Sequence, residues 1–207
     1  SKPGYLHQNY LGAVPDTTQA NLLTIKPFHL EIVSPSSGVQ FYRNGIVFLA
    51  YSKGAEKMSQ KHLSFGSVKP FMALVADTLP GEYMPFLPPT SVIFPTEATT
   101  FSKDFNTMYL SLIPDNGNKE KIFRASYTPE GWEIDGNPLS FCNDSYIYTH
   151  PTLADDGSVL IFSSDMAGSL GGLDLYVSKL EGETWSKPEN LGNHINTTGN
   201  ELFATLD

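Results

Sequence analysis

Two carboxylates, Asp165 and Asp174, flank the glycine-bearing run 167–172, and paired acids beside free backbone carbonyls are the beginning of a Ca²⁺ site. Calcium takes about six to eight oxygens, so two side chains fall short. In the structural alternative, Asp174 accepts hydrogen bonds from N–H groups of the glycine loop, and Asp155 or Asp156 does the same at the turn before it. The structural alternative is preferred, and Asp174→Ala is expected to loosen the loop without changing ion binding. The five histidines, His7, His29, His62, His150 and His194, never stand at metal-ligand spacing, and the single cysteine, Cys142, has no partner. No metal is expected. His150 and His194 precede strand-like stretches, where packing or backbone hydrogen bonding is their ordinary use, and Cys142 reads as a small buried hydrophobe.

A hydrolase would need a nucleophile on a strained turn with a base behind it, and the chain contains no G-x-S-x-G. Ser163 and Ser164 close a strand-like run that the repeat described below accounts for without catalysis. Glycoside hydrolysis needs two carboxylates facing a sugar, and nothing singles out Glu97 or Asp104 over surface acids. The Ser163-x-Asp165 spacing is close to a sialidase Asp-box, but the glycine and aromatic that should follow are out of register. Trp132 and Trp185 would stack on sugars if exposed; at matched places in a repeat they are better explained as core between sheets. No catalytic residue and no cofactor is expected.

The elements that hold these residues are clearest in 150–178, HPTLADDGSVLIFSSDMAGSLGGLDLYVS, where β-rich runs at 158–163 and 173–178 are separated by turn chemistry. Asp155-Asp156-Gly157 forms the turn before the first run. The run 167–172, ending in Gly171 and Gly172, is a Gly-rich loop before the second, a loop in which glycine supplies positive φ without steric cost. The unit has copies. Shifted by 52, 100–112 lies on 152–164, which sets Asp104 on Asp156 and Met108-Tyr109-Leu110 on Leu160-Ile161-Phe162. Shifted by 53, 122–127 lies on 175–180 and Trp132 on Trp185. A looser copy at 44–52 leads the second by 61, with 71–76 as its partner run and the extra length in a polar loop from 52 to 69. Finally, 204–206 repeats 151–153 at 53.

A period near 50 residues with several strands per unit points to propeller blades, since a lone four-stranded sheet cannot bury both faces. A β-sandwich would need neither the repeated tryptophan nor the repeated aspartate. The predicted fold is all-β: a β-propeller of four-stranded antiparallel blades at 36–96, 97–145 and 146–198, with a fourth beginning at 199–207. Residues 1–35 are unassigned. Their apolar runs at 22–25 and 28–33 would complete that fourth blade as part of a small closed ring, or further chain follows in the intact protein. The second is expected, and with it an incomplete ring and a strand at 201–207. The opening Ser1-Lys2, without an initiator Met, also leads us to expect that something upstream was removed.

With 207 residues, 40% of them hydrophobic, the chain is long enough to bury a core, and a 17% charged fraction beside 17 Gly and 15 Pro suits short strands and turns. A formal charge of −9 repels phosphate backbones, so nucleic acid is excluded as an expected partner. No run approaches the roughly 18 apolar residues that span a bilayer, so no direct membrane insertion is expected.

HPTLADDGSVLIFSSD followed by GGLDLYVS, Trp185, Pro188, NLG and INTTGNE resembles the Pro-Asp-Gly propeller repeats related to TolB. More narrowly, it resembles the type found in Bacteroidetes envelope proteins, where such repeats often precede an OmpA-like domain. Ala154-Asp155-Asp156-Gly157 stands where that family has Pro-Asp-Gly, and the second unit reads Asp104-Phe105-Asn106, without the glycine. The resemblance implies a non-catalytic scaffold in the periplasm or at the outer membrane that binds protein or glycan partners. The alternative is a carbohydrate-active propeller whose central funnel collects carboxylates from separate blades. Asp16-Thr17-Thr18 and Asp77-Thr78-Leu79 resemble the short O-glycosylation sites of the same group.

Overall fold

A computed structural model of the chain describes residues 36–51, 68–74, 83–87, 99–114 and 117–206. His7, His29, His62, Glu97, the two glycosylation-like triplets and the runs 22–25 and 28–33 lie outside the described residues. The fold is all-β. Among the described residues, thirteen strands form three successive antiparallel sheets in which, apart from the last short strand of the third, each strand pairs with the next within its sheet.

The first sheet comprises β1 (Ser36–Tyr42), β2 (Gly45–Tyr51), β3 (Val68–Leu74) and β4 (Tyr83–Pro85). The second comprises β5 (Thr99–Phe101), β6 (Thr107–Leu112), β7 (Lys121–Thr128) and β8 (Gly131–Ile134). In the third, β9 (Tyr148–Leu153), β10 (Val159–Ser164) and β11 (Asp174–Glu181) are followed by an outer edge in two pieces, β12 (Thr184–Trp185) and β13 (Glu189–Asn190), both paired to β11. The repeat is carried over strand for strand. Shifted by 52, β6 falls on β10 from end to end, and shifted by 53, β7 falls on β11.

Period-two alternation lets the central strands face two cores at once. In β6, Met108, Leu110 and Leu112 join Tyr42, Val47, Leu49, Phe123 and Trp132 in a cluster between the first and second sheets. Tyr109 points the other way and joins Ile122, Leu160, Phe162, Tyr176 and Trp185 between the second and third. Both tryptophans therefore lie in inter-sheet core. Trp185 meets Tyr109 edge-on at 5.6 Å, and Trp132 lies among Tyr42, Phe86 and Phe101.

β1, β5 and β9 are neighbours from sheet to sheet. Between the second and third sheets the link is explicit, with Leu153 N donating to Thr100 Oγ1 at 3.1 Å. The hairpin turns that follow these strands have diverged but all hold one residue at positive φ: Arg43 (52°), Phe105 (56°) and Gly157 (74°). Phe105 and Gly157 stand at equivalent places, so the missing glycine of the second unit is replaced by a strained phenylalanine whose ring packs on Tyr42 at 5.3 Å. Asp104 and Asp156 close their turns alike. Each accepts the N–H two residues on, from Asn106 at 3.1 Å and Ser158 at 2.9 Å, and a serine hydroxyl at 2.6 Å. Those serine hydroxyl bonds first, and the N–H bonds after them, hold both carboxyls below the ordinary 3.8. Asp155 stays exposed, 4.0 Å from Lys103.

Two expectations are corrected. Residues 201–206 are not a strand: no neighbouring strand among the described residues offers them a ladder, and they are held instead by separate bonds to the third sheet. Cys142 is half-buried rather than fully buried, packed at the margin of the cluster between the second and third sheets. Burial pushes its thiol up to about 12, so it stays protonated at neutral pH.

Leu160→Ala, which opens a cavity in the core between the second and third sheets, is expected to cost about 2–5 kcal/mol in urea unfolding. Leu180→Ala, at a side chain 39% exposed, should stay within about 0.5 kcal/mol. Equal losses would mean that the two sheets do not share a core.

Candidate functional site

In an antiparallel meander the short hairpin turns gather at one end of each sheet, and the longer connections at the other. At the long-connection end of the third sheet meet the β10–β11 loop (165–173), the β8–β9 connection (135–147) and the segment 191–200. The glycine loop reverses between paired strands, so its N–H groups need acceptors that no ladder supplies.

Asp174, the first residue of β11 and fully buried, supplies them. Its Oδ2 accepts from Leu170 N at 2.8 Å and its Oδ1 from Gly171 N at 3.1 Å. Asn190 Nδ2 donates to the same carboxylate at 2.9 Å. Burial pushes this carboxyl up, but the donors from Asn190, Leu170 and Gly171 together outweigh it and hold the group below the ordinary 3.8. Asn190 Oδ1 in turn accepts from Gly192 N at 2.7 Å and from Asn196 Nδ2 at 2.8 Å.

Asn196, 2% exposed, takes the place of a strand residue. It accepts from Leu175 N at 2.8 Å and donates to Leu175 O at 3.0 Å. The following residues then fold onto the glycines. Gly172 N donates to Gly199 O, Leu173 N to Asn200 Oδ1, and Glu201 N to Leu173 O, all within 2.8 Å. A Cβ on Gly171 would lie 2.2 Å from Gly199 O, and one on Gly172 2.2 Å from Asn200 Oδ1. These two glycines are thus required by close approach of another segment. GGLD, NLG and INTTGNE, separate in sequence, form one clasp.

Asp165 stands outside the clasp. Its Oδ1 accepts Ile147 N at 2.6 Å and its Oδ2 lies 3.8 Å from Lys119. Ser163 and Ser164 are buried and donate to Glu201 O at 2.7 Å and Ile147 O at 2.6 Å, so both hydroxyls are engaged with backbone. Thr152 likewise donates to Ala204 O at 2.7 Å. His150 is buried in β9 with φ 50°, edge-on to Phe203 at 4.3 Å, and forms part of a bulge where the register steps from Ile161↔Thr152 to Ser163↔Thr149. His194 is exposed in a turn. Among the described residues, no three His, Cys, Asp or Glu side chains lie together as a metal site.

Beside the clasp a cleft of about 540 Å³ opens between the β8–β9 connection and the outer edge of the third sheet. Phe141, Tyr146 and Met166 form an apolar wall, and Asn143, Ser186 and Lys187 give it polar groups. The wall is rigid, because Phe141 stacks on Phe162 at 5.0 Å and Phe162 on Tyr176 at 6.2 Å. Sequence reasoning found Asp174 as the acceptor for the glycine loop but missed its asparagine partners and the cleft. The recurring asparagines of NLGNHINTTGN signal the clasp, since an amide that both donates and accepts can replace a ladder partner. The cleft residues carry no such signal because they lie in an irregular connection.

No protein-family model matches the chain, and no curated protein matches it. Among solved structures, TolB from Acinetobacter baumannii is similar at a TM-score of 0.42 and 12% identity, over 70% of this chain and 29% of that one. The chain spans less than a third of that TolB chain.

Asp174→Ala should lower stability by about 1–3 kcal/mol at neutral pH, because two N–H groups and an amide lose a buried acceptor. A depressed folded-state pKa contributes stability that is complete above 3.8 and is lost as pH falls through the folded value. The gap between wild type and Asp174→Ala in urea unfolding should therefore narrow from pH 7 to pH 3. A gap that widened in acid would rule out the ionised clasp, and a calcium-dependent rise in melting temperature that the variant abolished would restore the ion-binding alternative.

Proposed function

We propose that this protein is a non-catalytic β-propeller scaffold of the bacterial cell envelope, binding protein or glycan partners at its long-connection face. The observation that carries the proposal is the division of labour on that face. The acids and amides one would suspect of chemistry, Asp165, Asp174, Asn190 and Asn196, are committed to holding backbone, while an aromatic cleft stands open beside them. A rigid apolar wall with a few polar groups is the ordinary form of a recognition site.

The carbohydrate-active alternative needs carboxylates converging from separate sheets, most directly from the neighbouring strands β1, β5 and β9. Their sequences, SSGVQFY, TTF and YTHPTL, contain no acid. The envelope location is supported by the resemblance of 146–207 to TolB-related repeats of envelope proteins.

Ala167→Arg and Lys187→Glu alter the cleft at exposed positions and should leave the fold intact. Crosslinked capture from an envelope extract should retain envelope proteins or glycan on the wild type and lose them on the double variant. Recovery of cytosolic proteins only, or equal retention by the variant, would overturn the proposal, as would hydrolysis of a glycoside by the purified chain.

A further inference from the structure

At the hairpin end, opposite the clasp, the turn Arg43-Asn44 between β1 and β2 faces the turn Pro129-Glu130 between β7 and β8. Between them lies a second cleft of about 540 Å³, in the gap between the first and second sheets. Its floor is apolar and adaptable, made by Met72, Met84, Phe86 and Leu87.

Two donors in this cleft lack a carboxylate or carbonyl acceptor among the described residues. The Arg43 guanidinium lies over the Tyr127 ring at 4.5 Å and near Tyr42 at 5.2 Å, and no carboxylate pairs with it among the described residues. The Trp132 indole Nε1, in a side chain only 5% exposed, makes no hydrogen bond. The Tyr42 hydroxyl is near enough to feel both the Arg43 guanidinium and the indole N–H, but the indole does not meet bonding geometry. A buried donor without an acceptor costs about 1–3 kcal/mol, so an orphan calls for an occupant. Arg43 also holds φ 52°, a conformation that a β-hairpin would fill more easily with Gly or Asn. At the equivalent gap between the second and third sheets, the matching turn presents Ser102, and the cation lining that gap, Arg124, comes from β7 instead.

One planar cation held flat by two rings, with an indole N–H and the Asn44 amide beside it, matches a single carboxylate. The guanidinium fork binds both carboxylate oxygens. A phosphate dianion would meet Glu130 on the rim and a chain carrying −9 overall, and a neutral glycan would leave Arg43 without a partner. The walls alternate polar groups (Asn44, Tyr127, Glu130) with apolar ones, which suits the amides and side chains of a peptide better than an unbroken acyl chain.

We propose that this cleft binds the free C-terminal carboxylate of a partner peptide ending in an apolar residue, with Arg43 and the Trp132 indole N–H as the anion-binding groups and the two methionines beneath the last side chain. The site lies at the other end of the sheets from the long-connection face and stands whether or not that face binds a partner.

The chain has two tryptophans, so a ¹⁵N spectrum of the full chain holds two indole signals, assigned with Trp132→Phe or Trp185→Phe. Titration with acetyl-Gly-Leu-Leu bearing a free carboxylate should shift the Trp132 signal saturably. The same peptide as its C-terminal amide should bind at least tenfold more weakly, and decanoate should not saturate. Arg43→Asn keeps a residue at home in the left-handed region and removes the cation; it should retain a dispersed spectrum and lose at least tenfold in affinity. Absence of a saturable shift at millimolar peptide would overturn the proposal. So would equal binding of acid and amide, tighter binding of decanoate, or undiminished affinity in Arg43→Asn.

Discussion

A four-stranded sheet that is apolar on both faces cannot stand alone in water, and this constraint organises the chain. β6 shows it most clearly: Met108, Leu110 and Leu112 are buried against the first sheet while Tyr109 is buried against the third. Each fully buried side chain of this size contributes about 1.5–3 kcal/mol, and a sheet left without a neighbour would forfeit half of its set. Stacking is therefore a condition of folding, and the two tryptophans, each reaching from an outer strand into the preceding gap, tie the stack at matched places.

Stacking fixes where irregular chain can go. The long connections collect at one end, where backbone groups have no ladder, and the chain satisfies them with short polar side chains. Asp174 is central because a buried carboxylate is tolerated only when fully hydrogen-bonded, and its three donors come from two different segments. Through Asn190 and Asn196 the same network reaches 196–200, and the glycines at 171 and 172 leave room for that segment to lie down. Polarity at this end is thus mostly structural, and recognition passes to the clefts beside it.

Divergence between units acts on those clefts rather than on the sheets. The turns Arg43-Asn44, Asp104-Phe105-Asn106 and Asp156-Gly157 all reverse the chain through one residue at positive φ, yet they line the gaps with different chemistry. A turn residue needs only to reverse the chain, so its side chain is free to vary, whereas a residue of β6 or β10 must fit two cores.

What the sequence determined by itself follows from this difference. Strand placement, the offsets near 52 and 53, the inter-sheet tryptophans and the turns at Asp104 and Asp156 were legible, because periodicity and turn chemistry are local properties that repeat. The clasp was half legible: Asp174 beside a glycine loop pointed to backbone acceptance, but its partners Asn190 and Asn196 lie 16 and 22 residues away, where spacing carries no signal. Residues 201–207 read as a strand from the repeat at offset 53, yet a strand exists only with a ladder partner, and 201–206 have none among the described residues. The orphaned Trp132 Nε1, and an Arg43 that no carboxylate among the described residues pairs with, were not legible at all, since whether a donor has an acceptor depends on what two separate sheets bring within about 3 Å of it, and tertiary packing alone decides that.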